Sequence, residues 1–290
     1  MNDQSGSTRK QVTDRGAGGA GAAVAARNGA DTGPIGARER GFWHDLFAVG
    51  HRAVILLPRD MAAIIPALIV PIFFYAVTIG ALQDVAGFAN IGLDYKAFQL
   101  PLALVMTVTG ISRAHSLVLD VQGGYFDRLL LTPVNRWALL LGMFVADTIV
   151  LLFLSLPVLG MGLALGVRFA TGAAGIVTFV AIVTVWGLAY TGFPYAIALR
   201  TGNPTAVNNS FLLFFPLVFL TPAWMPRDAL TGWLAAIATW NPVTYIIEGL
   251  RTLVTGWDGV ALGKTMAAVG GIGALSQYLA FSALRSRTTP

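Results

Sequence analysis

Cysteine is absent from the 290-residue chain, which excludes disulfide staples, thiolate-held zinc or iron-sulfur clusters and a cysteine nucleophile. Histidine is nearly absent: His44, His51 and His115 are the only imidazoles, too scattered in sequence to suggest a metal site. Charge is scarce as well. Asp, Glu, Lys and Arg make up 11% of the chain, against about 25% in an ordinary soluble domain, too little to cover a water-exposed core. The net charge is +5, but the basic residues are dispersed along the loops and form no stripe of the kind a nucleic acid requires. Lysine occurs only as Lys10, Lys96 and Lys264. Together with the abundant Ala and Gly, this points to a bacterium of high genomic GC content.

What is abundant is apolar length. Hydrophobic residues make up 56% of the chain, in uncharged runs long enough to cross about 30 Å of hydrocarbon at about 1.5 Å per residue. An all-α polytopic membrane protein is the fold class these runs predict, with spans at 61–83, 97–119, 137–166, 171–199, 205–224 and 264–284. Residues 1–37 mix Gly, Ala, Ser, Thr and both signs of charge without periodicity, and are expected to form a disordered cytoplasmic tail. The glycine-rich run at 16–26 is too weakly apolar for a cleaved signal. Over 38–60, Phe42, Trp43, Leu46, Phe47, Val54 and Leu57 recur at roughly helical spacing among charged residues, predicting an amphipathic helix along the membrane surface.

The segment 226–258 is the difficult one. It is apolar but divided by "TWNPVT", where Asn241 suits a helix cap and Pro242 a first helical position. Two short helices meeting there would not cross a bilayer, so a re-entrant or interfacial pair on the outer face is preferred to a seventh span. Charge placement supports six spans with both termini cytoplasmic. That arrangement leaves outside only Lys96, Arg168, Arg227, Arg251 and Lys264, whereas a seventh span would carry Arg285 and Arg287 outward against the positive-inside rule.

Between the second and third spans lies "LDVQGGYFDRLLLTPVNRWALLLG". Gly123 and Gly124 permit a sharp turn, Tyr125 to Leu131 can form two amphipathic turns, and Pro133 stops them. The result is a short helix over 123–133 exposed below the membrane. It reads either as a connecting loop resting on the lipid or as a dock for a soluble subunit.

The run "GGYFDRLLLTPVNRWALLLGMFVAD" resembles the signature of type 2 ABC exporter permeases, particularly the bacterial daunorubicin-resistance-like branch. "NPVTYIIEGLR" at 241–251 is similar to that family's stretch before the final span, and the hydropathy layout agrees over residues 40–287. The resemblance implies a six-span permease domain over 61–287 and a coupling helix in which Gly123, Gly124, Tyr125, Phe126, Asp127, Arg128, Leu129, Thr132 and Pro133 meet an ATP-binding subunit. It also implies outer re-entrant helices carrying Asn241, Pro242, Tyr245, Glu248 and Arg251. Asp120 and Gln122 stand where many relatives have a nearby glutamate, so the contact chemistry there differs.

The implied activity is the membrane half of an ATP-driven exporter of an amphipathic drug, natural product or lipid. It would work beside an ABC ATP-binding subunit and a second permease copy or homologue, within lipid and in the plasma membrane. No cofactor is expected in this chain; ATP and Mg belong to the partner. "DGVALGKT" at 258–265 looks like a phosphate loop, but Asp258 stands where the first glycine is required.

Asp147 lies about 15 Å past Trp137 along the third span, near mid-membrane, where an ionised group needs a partner. Arg113 on the adjacent span is within reach, and the pair reads as a static packing contact or as a state-dependent latch. Glu248 and Arg251 are spaced to pair along one helix. Gly162 and Gly166 form a lone G-x-x-x-G. The competing functions are an ion-driven secondary transporter or channel, for which no inverted repeat is evident, and an intramembrane enzyme. An enzyme would need a titratable cluster, for which only Asp147, Arg113 and His115 qualify.

Overall fold

The computed structural model describes residues 61–88, 94–124, 136–212 and 214–288. The predicted tail over 1–37, the surface helix over 38–60 and residues 125–133 of the coupling segment lie outside the described residues. Within them every regular element is helical and no strand occurs. This follows from the composition: apolar runs in lipid must satisfy their backbone polar groups within the segment, and a helix does so.

Helix α1 spans Met61–Phe88. The second predicted span is broken into α2 (Tyr95–Thr109) and α3 (Ala114–Gln122). Asp94 caps α2 by accepting the Lys96 N–H at 3.1 Å. At the break, Ser112 Oγ accepts the Ala114 N–H at 3.0 Å and so opens α3. Helix α4 runs Arg136–Ala164 and α5 Gly172–Thr201. Two short helices follow, α6 (Pro204–Leu212) and α7 (Phe214–Phe219). Beyond them lie a 3-10 turn at Arg227–Ala229, α8 (Gly232–Trp240), α9 (Pro242–Thr255) and α10 (Gly259–Thr288).

Among the described residues five stretches are long and apolar enough to cross a membrane: Ile64–Asp84, Tyr95–Gln122, Leu141–Ala164, Gly172–Thr201 and Gly259–Ser286. The stretch predicted at 205–224 is shorter in the structure, Pro204–Phe219, and its end differs from expectation because residues 221–225 bend out of helix ahead of Pro226. The last helix starts earlier than the predicted 264. Asp258 Oδ1 accepts the N–H groups of Val260 at 2.9 Å and Ala261 at 3.1 Å, which caps the helix at Gly259. The phosphate-loop lookalike is therefore a helix start.

Helix α5 is the centre of the packing. Phe179, Val183, Trp186 and Tyr195 are fully buried, and α5 makes its most extensive contact with α10. That contact is close because Gly192 faces the Ser276 backbone; a Cβ there would come within 2.6 Å of the Ser276 carbonyl oxygen. Ser276 Oγ donates to the Ala189 carbonyl and Gln277 Nε2 donates to the Leu188 carbonyl at 3.0 Å, which ties the two helices together by polar contacts. Trp186 Nε1 donates to Thr109 Oγ1 at 2.9 Å, joining α5 to α2. By contrast α1 and α10 expose Ile69, Phe73, Val77, Val260 and Tyr278, as expected of faces turned to lipid. The G-x-x-x-G of α4 does not act as a pair: Gly162 meets the Leu100 side chain, whereas Gly166 lies past the helix end in open space.

Candidate functional site

The predicted coupling segment begins where α3 ends. Gly123 donates its N–H to the Leu119 carbonyl at 2.9 Å and Gly124 donates to Val121 at 3.1 Å. Gly124 adopts φ 68°, a left-handed turn that a side chain would strain. Gln122 Nε2 donates to the Gly202 carbonyl at 2.9 Å, tying this turn to the end of α5. The segment therefore departs from a point fixed to the central helix. Tyr125, Phe126, Asp127, Arg128, Leu129, Thr132 and Pro133 lie outside the described residues.

Asp147 is buried on α4, 2% exposed. Its Oδ2 accepts the Tyr195 hydroxyl at 2.7 Å and its Oδ1 accepts the backbone N–H of Arg113 at 3.1 Å. The expected partners do meet, but the Arg113 hydrogen bond comes from the main chain at the α2–α3 break. A carboxylate thus takes up a donor that the interrupted helix leaves free. Phe144 packs edge-on against the Tyr195 ring at 5.3 Å between centroids, holding the phenol in place. Tyr195 was not singled out in the sequence, although a tyrosine on an otherwise uncharged span signals a polar tip in need of a partner.

A second cluster gathers on α9. Asn241 Oδ1 accepts the Val243 N–H at 3.0 Å, starting the helix, while its Nδ2 donates to the carbonyls of Leu217 and Leu220, the latter at 3.1 Å. Pro242 occupies the first turn, where its missing N–H costs nothing. The Arg251 guanidinium donates to the carbonyls of Phe98 at 3.1 Å, Pro222 at 2.9 Å and Ala223 at 3.3 Å, and its carbon sits 3.4 Å from the Phe98 ring centroid. Tyr95 donates to the Trp224 carbonyl at 2.7 Å and accepts from Gln99 Nε2 at 2.9 Å. The chain leaves helix after Leu220, whose N–H still bonds the Pro216 carbonyl at 3.0 Å, and side chains of α2 and α9 capture the carbonyls of Leu220, Pro222, Ala223 and Trp224.

The expected Glu248–Arg251 pair is not what forms. Glu248 pairs with Arg227 at 3.4 Å, because Arg251 is turned toward the carbonyls of 222 and 223. Burial raises the Glu248 carboxyl above its usual value, an effect that Arg227 and Arg251 oppose. Tyr245 donates to the Thr239 carbonyl at 2.6 Å and lies under the Arg227 guanidinium at 5.7 Å. Trp233, Trp240 and Trp257 are exposed, as suits residues at a membrane-water boundary.

A cavity of about 570 Å³ opens between α1, the α2–α3 break and α6–α7. Its apolar wall includes Val70, Met106, Phe211 and Phe215, and its polar residues are Ser112, His115 and Asn208. Among the described residues no group of three His, Asp or Glu side chains could hold a metal ion.

The long helices are apolar, α3 ends in a tight glycine turn where the predicted coupling segment begins, and Asn241 caps α9 ahead of the last helix. The family model for the ABC-2 type transporter matches residues 44–254. The chain belongs to the ABC-2 type transporter family. Two curated relatives illustrate the likeness. The Mycobacterium tuberculosis protein named "Probable doxorubicin resistance ABC transporter permease protein DrrC" is 26% identical over 199 residues, covering 68% of this chain and 72% of the relative. The "Daunorubicin resistance ABC transporter permease protein DrrB1" of Streptomyces coeruleorubidus is 27% identical over 175 residues, covering 59% and 62%. The ABC-2 match includes the Asp147 node, the start of the coupling segment and nearly all of α9.

Proposed function

We propose that this ABC-2 chain is the permease subunit of an ATP-driven exporter, forming the pathway for an amphipathic drug, natural product or lipid while a separate ABC subunit hydrolyses ATP. The family match over 44–254 carries this reading. Relatives named for doxorubicin and daunorubicin resistance support it.

In this reading Pro204–Phe219 is the remaining span beside the five longer ones, giving six, with both termini cytoplasmic. The charge distribution supports that orientation. Residues 1–37 form a cytoplasmic tail and 38–60 a surface helix. The coupling helix over 123–133 projects into the cytoplasm, where Tyr125, Phe126, Asp127, Arg128, Leu129, Thr132 and Pro133 dock the ATP-binding subunit. Attachment of its first turn to α5 through Gln122 and Gly202 gives motion of that subunit a rigid route to the central helix.

The pair α8–α9 forms an outer re-entrant element within 226–258, too short on either side of Asn241 to span. A second copy of the permease, or a homologue, completes the pathway. ATP-driven closure of two ATPase subunits then moves the two permeases from inward to outward access.

Affinity purification of the full chain from its native membrane tests the reading: an ABC ATP-binding subunit should co-purify and be lost on D127K or R128E exchange. Transport by the purified chain under an ion gradient, with no ATPase present, would overturn it. Binding retained by both variants would refute the docking site alone.

A further inference from the structure

The composition of the cavity between α1, the α2–α3 break and α6–α7 narrows what can occupy it. Its volume of about 570 Å³ falls in the range of about 300–1,000 Å³ that holds a drug-sized molecule. Met106, Phe211 and Phe215 offer an apolar bed. The polar residues are all at one end: Ser112 at the break, His115 in the first turn of α3 and Asn208 on α6.

Each of these residues has hydrogen-bonding capacity. Ser112 uses its oxygen as an acceptor for Ala114, which leaves its O–H to donate elsewhere. His115 lines the cavity with its half-buried ring, whose Nδ1 is itself buried and has no hydrogen-bond partner among the described residues. The amide of Asn208 can both donate and accept.

No carboxylate, lysine or arginine lines the cavity among the described residues. A cationic group entering here would lose its hydration and gain no counter-ion, whereas a hydroxyl, amide or ester would exchange water for Ser112, His115 and Asn208. Asp147, the buried carboxylate nearest in sequence to this region, is already engaged by Tyr195 and the Arg113 N–H.

We propose that this cavity takes amphiphiles with an uncharged, hydrogen-bonding polar end and discriminates against cationic ones, with Ser112, His115 and Asn208 setting the preference. The inference rests on the exporter reading above. With the orientation given there, the polar residues face the cytoplasmic leaflet and the apolar bed faces mid-membrane. An inner-leaflet amphiphile therefore enters sideways without turning over.

The test uses the full chain in zwitterionic lipid nanodiscs and two photoreactive probes with the same diazirine-bearing alkyl tail. One ends in a hydroxyl and the other in trimethylammonium, and cross-links are mapped by mass spectrometry. The hydroxyl probe should label peptides carrying Met106 and Phe211–Phe215 at least about fivefold more than the ammonium probe, a difference equivalent to about 1 kcal/mol. N208A should lower hydroxyl labelling there, and S112D should shift the ratio toward the ammonium probe; N208D serves if S112D does not fold. Equal or stronger ammonium labelling of the unmodified cavity would overturn the proposal. So would labelling by both probes confined to the lipid-facing sides of α1 and α10. Because co-purification of the ATP-binding subunit is measured separately, failure here with that partner retained refutes the cavity assignment and leaves the exporter reading standing.

Discussion

Replacing Arg251 by alanine removes the donors to three backbone carbonyls at once, those of Phe98, Pro222 and Ala223. Two of these carbonyls belong to the non-helical chain at 221–225, which cannot recover the bonds from its own backbone. A hydrogen bond from a charged donor contributes about 1.5–3 kcal/mol, and the guanidinium over Phe98 adds about 1 kcal/mol. The Pro222 and Phe98 bonds are the short ones, and Arg251 is only partly buried, so water recovers part of the loss. The net effect expected for R251A is about 3–5 kcal/mol. At about 2–4 °C per kcal/mol for a chain of this size, the melting temperature should fall by roughly ten degrees.

R251K keeps the charge but not the planar fork or the stacking, and should lose about half as much. The assay is fluorescence-detected size exclusion after heating at one fixed rate. A second readout uses the absence of native cysteine: Ala223 is fully buried, so an A223C reporter should resist maleimide in the parent background and react once R251A is added. A melting temperature for R251A within about 2 °C of the parent, R251K equal to the parent, or unchanged A223C labelling would each refute the clamp.

For the Asp147 node, D147A leaves the Tyr195 hydroxyl and the Arg113 N–H without an acceptor and should cost about 2–5 kcal/mol, with Y195F costing about 1.5–3; a double-mutant cycle on thermal stability would check their coupling. The reversal R113D/D147R should fail to restore stability, because the bond from position 113 to Asp147 is made by the main chain. At the α5–α10 contact, G192A should destabilise by about 1–3 kcal/mol through overpacking. Its control G160A, on an exposed position of α4 with nothing within 4 Å, should be neutral or stabilising by up to about 1 kcal/mol; equal thermal shifts would contradict the packing. Burial raises the Glu248 carboxyl above the usual 4.5, so the folded state binds the proton more tightly than the unfolded state. Stability from this group is therefore present below pH 4.5 and lost as pH rises through the raised value. E248Q should flatten the melting temperature over that interval, and an unchanged profile would show that Glu248 does not carry the dependence.

The sequence by itself determined the helical class, the membrane setting and the family. These depend on properties that do not require knowing which helix touches which: uncharged length, the scarcity of Asp, Glu, Lys and Arg, and two local motifs. Asn241 and Pro242 were legible for the same reason, since a cap acts within one turn. Tertiary structure decided the partners. Glu248 and Arg251 stand three apart on one helix, and spacing alone pairs them. Yet Arg227 arrives from a distant turn and takes the carboxylate, while the carbonyls at 222 and 223 take the guanidinium.

Arg113 likewise reaches Asp147 through its main chain because the second span breaks at Gly110–Arg113. Apolar runs do not announce a break of this kind, since their side chains remain compatible with a continuous helix. The cavity, with Ser112, His115 and Asn208 at its polar end, depends on that same break and on the approach of α6–α7. Its residues are far apart in the chain, and no local spacing brings them together. Local patterns record how a segment meets lipid or starts a helix, while the polar groups that a helix leaves unsatisfied are answered only by whatever the packed fold places beside them.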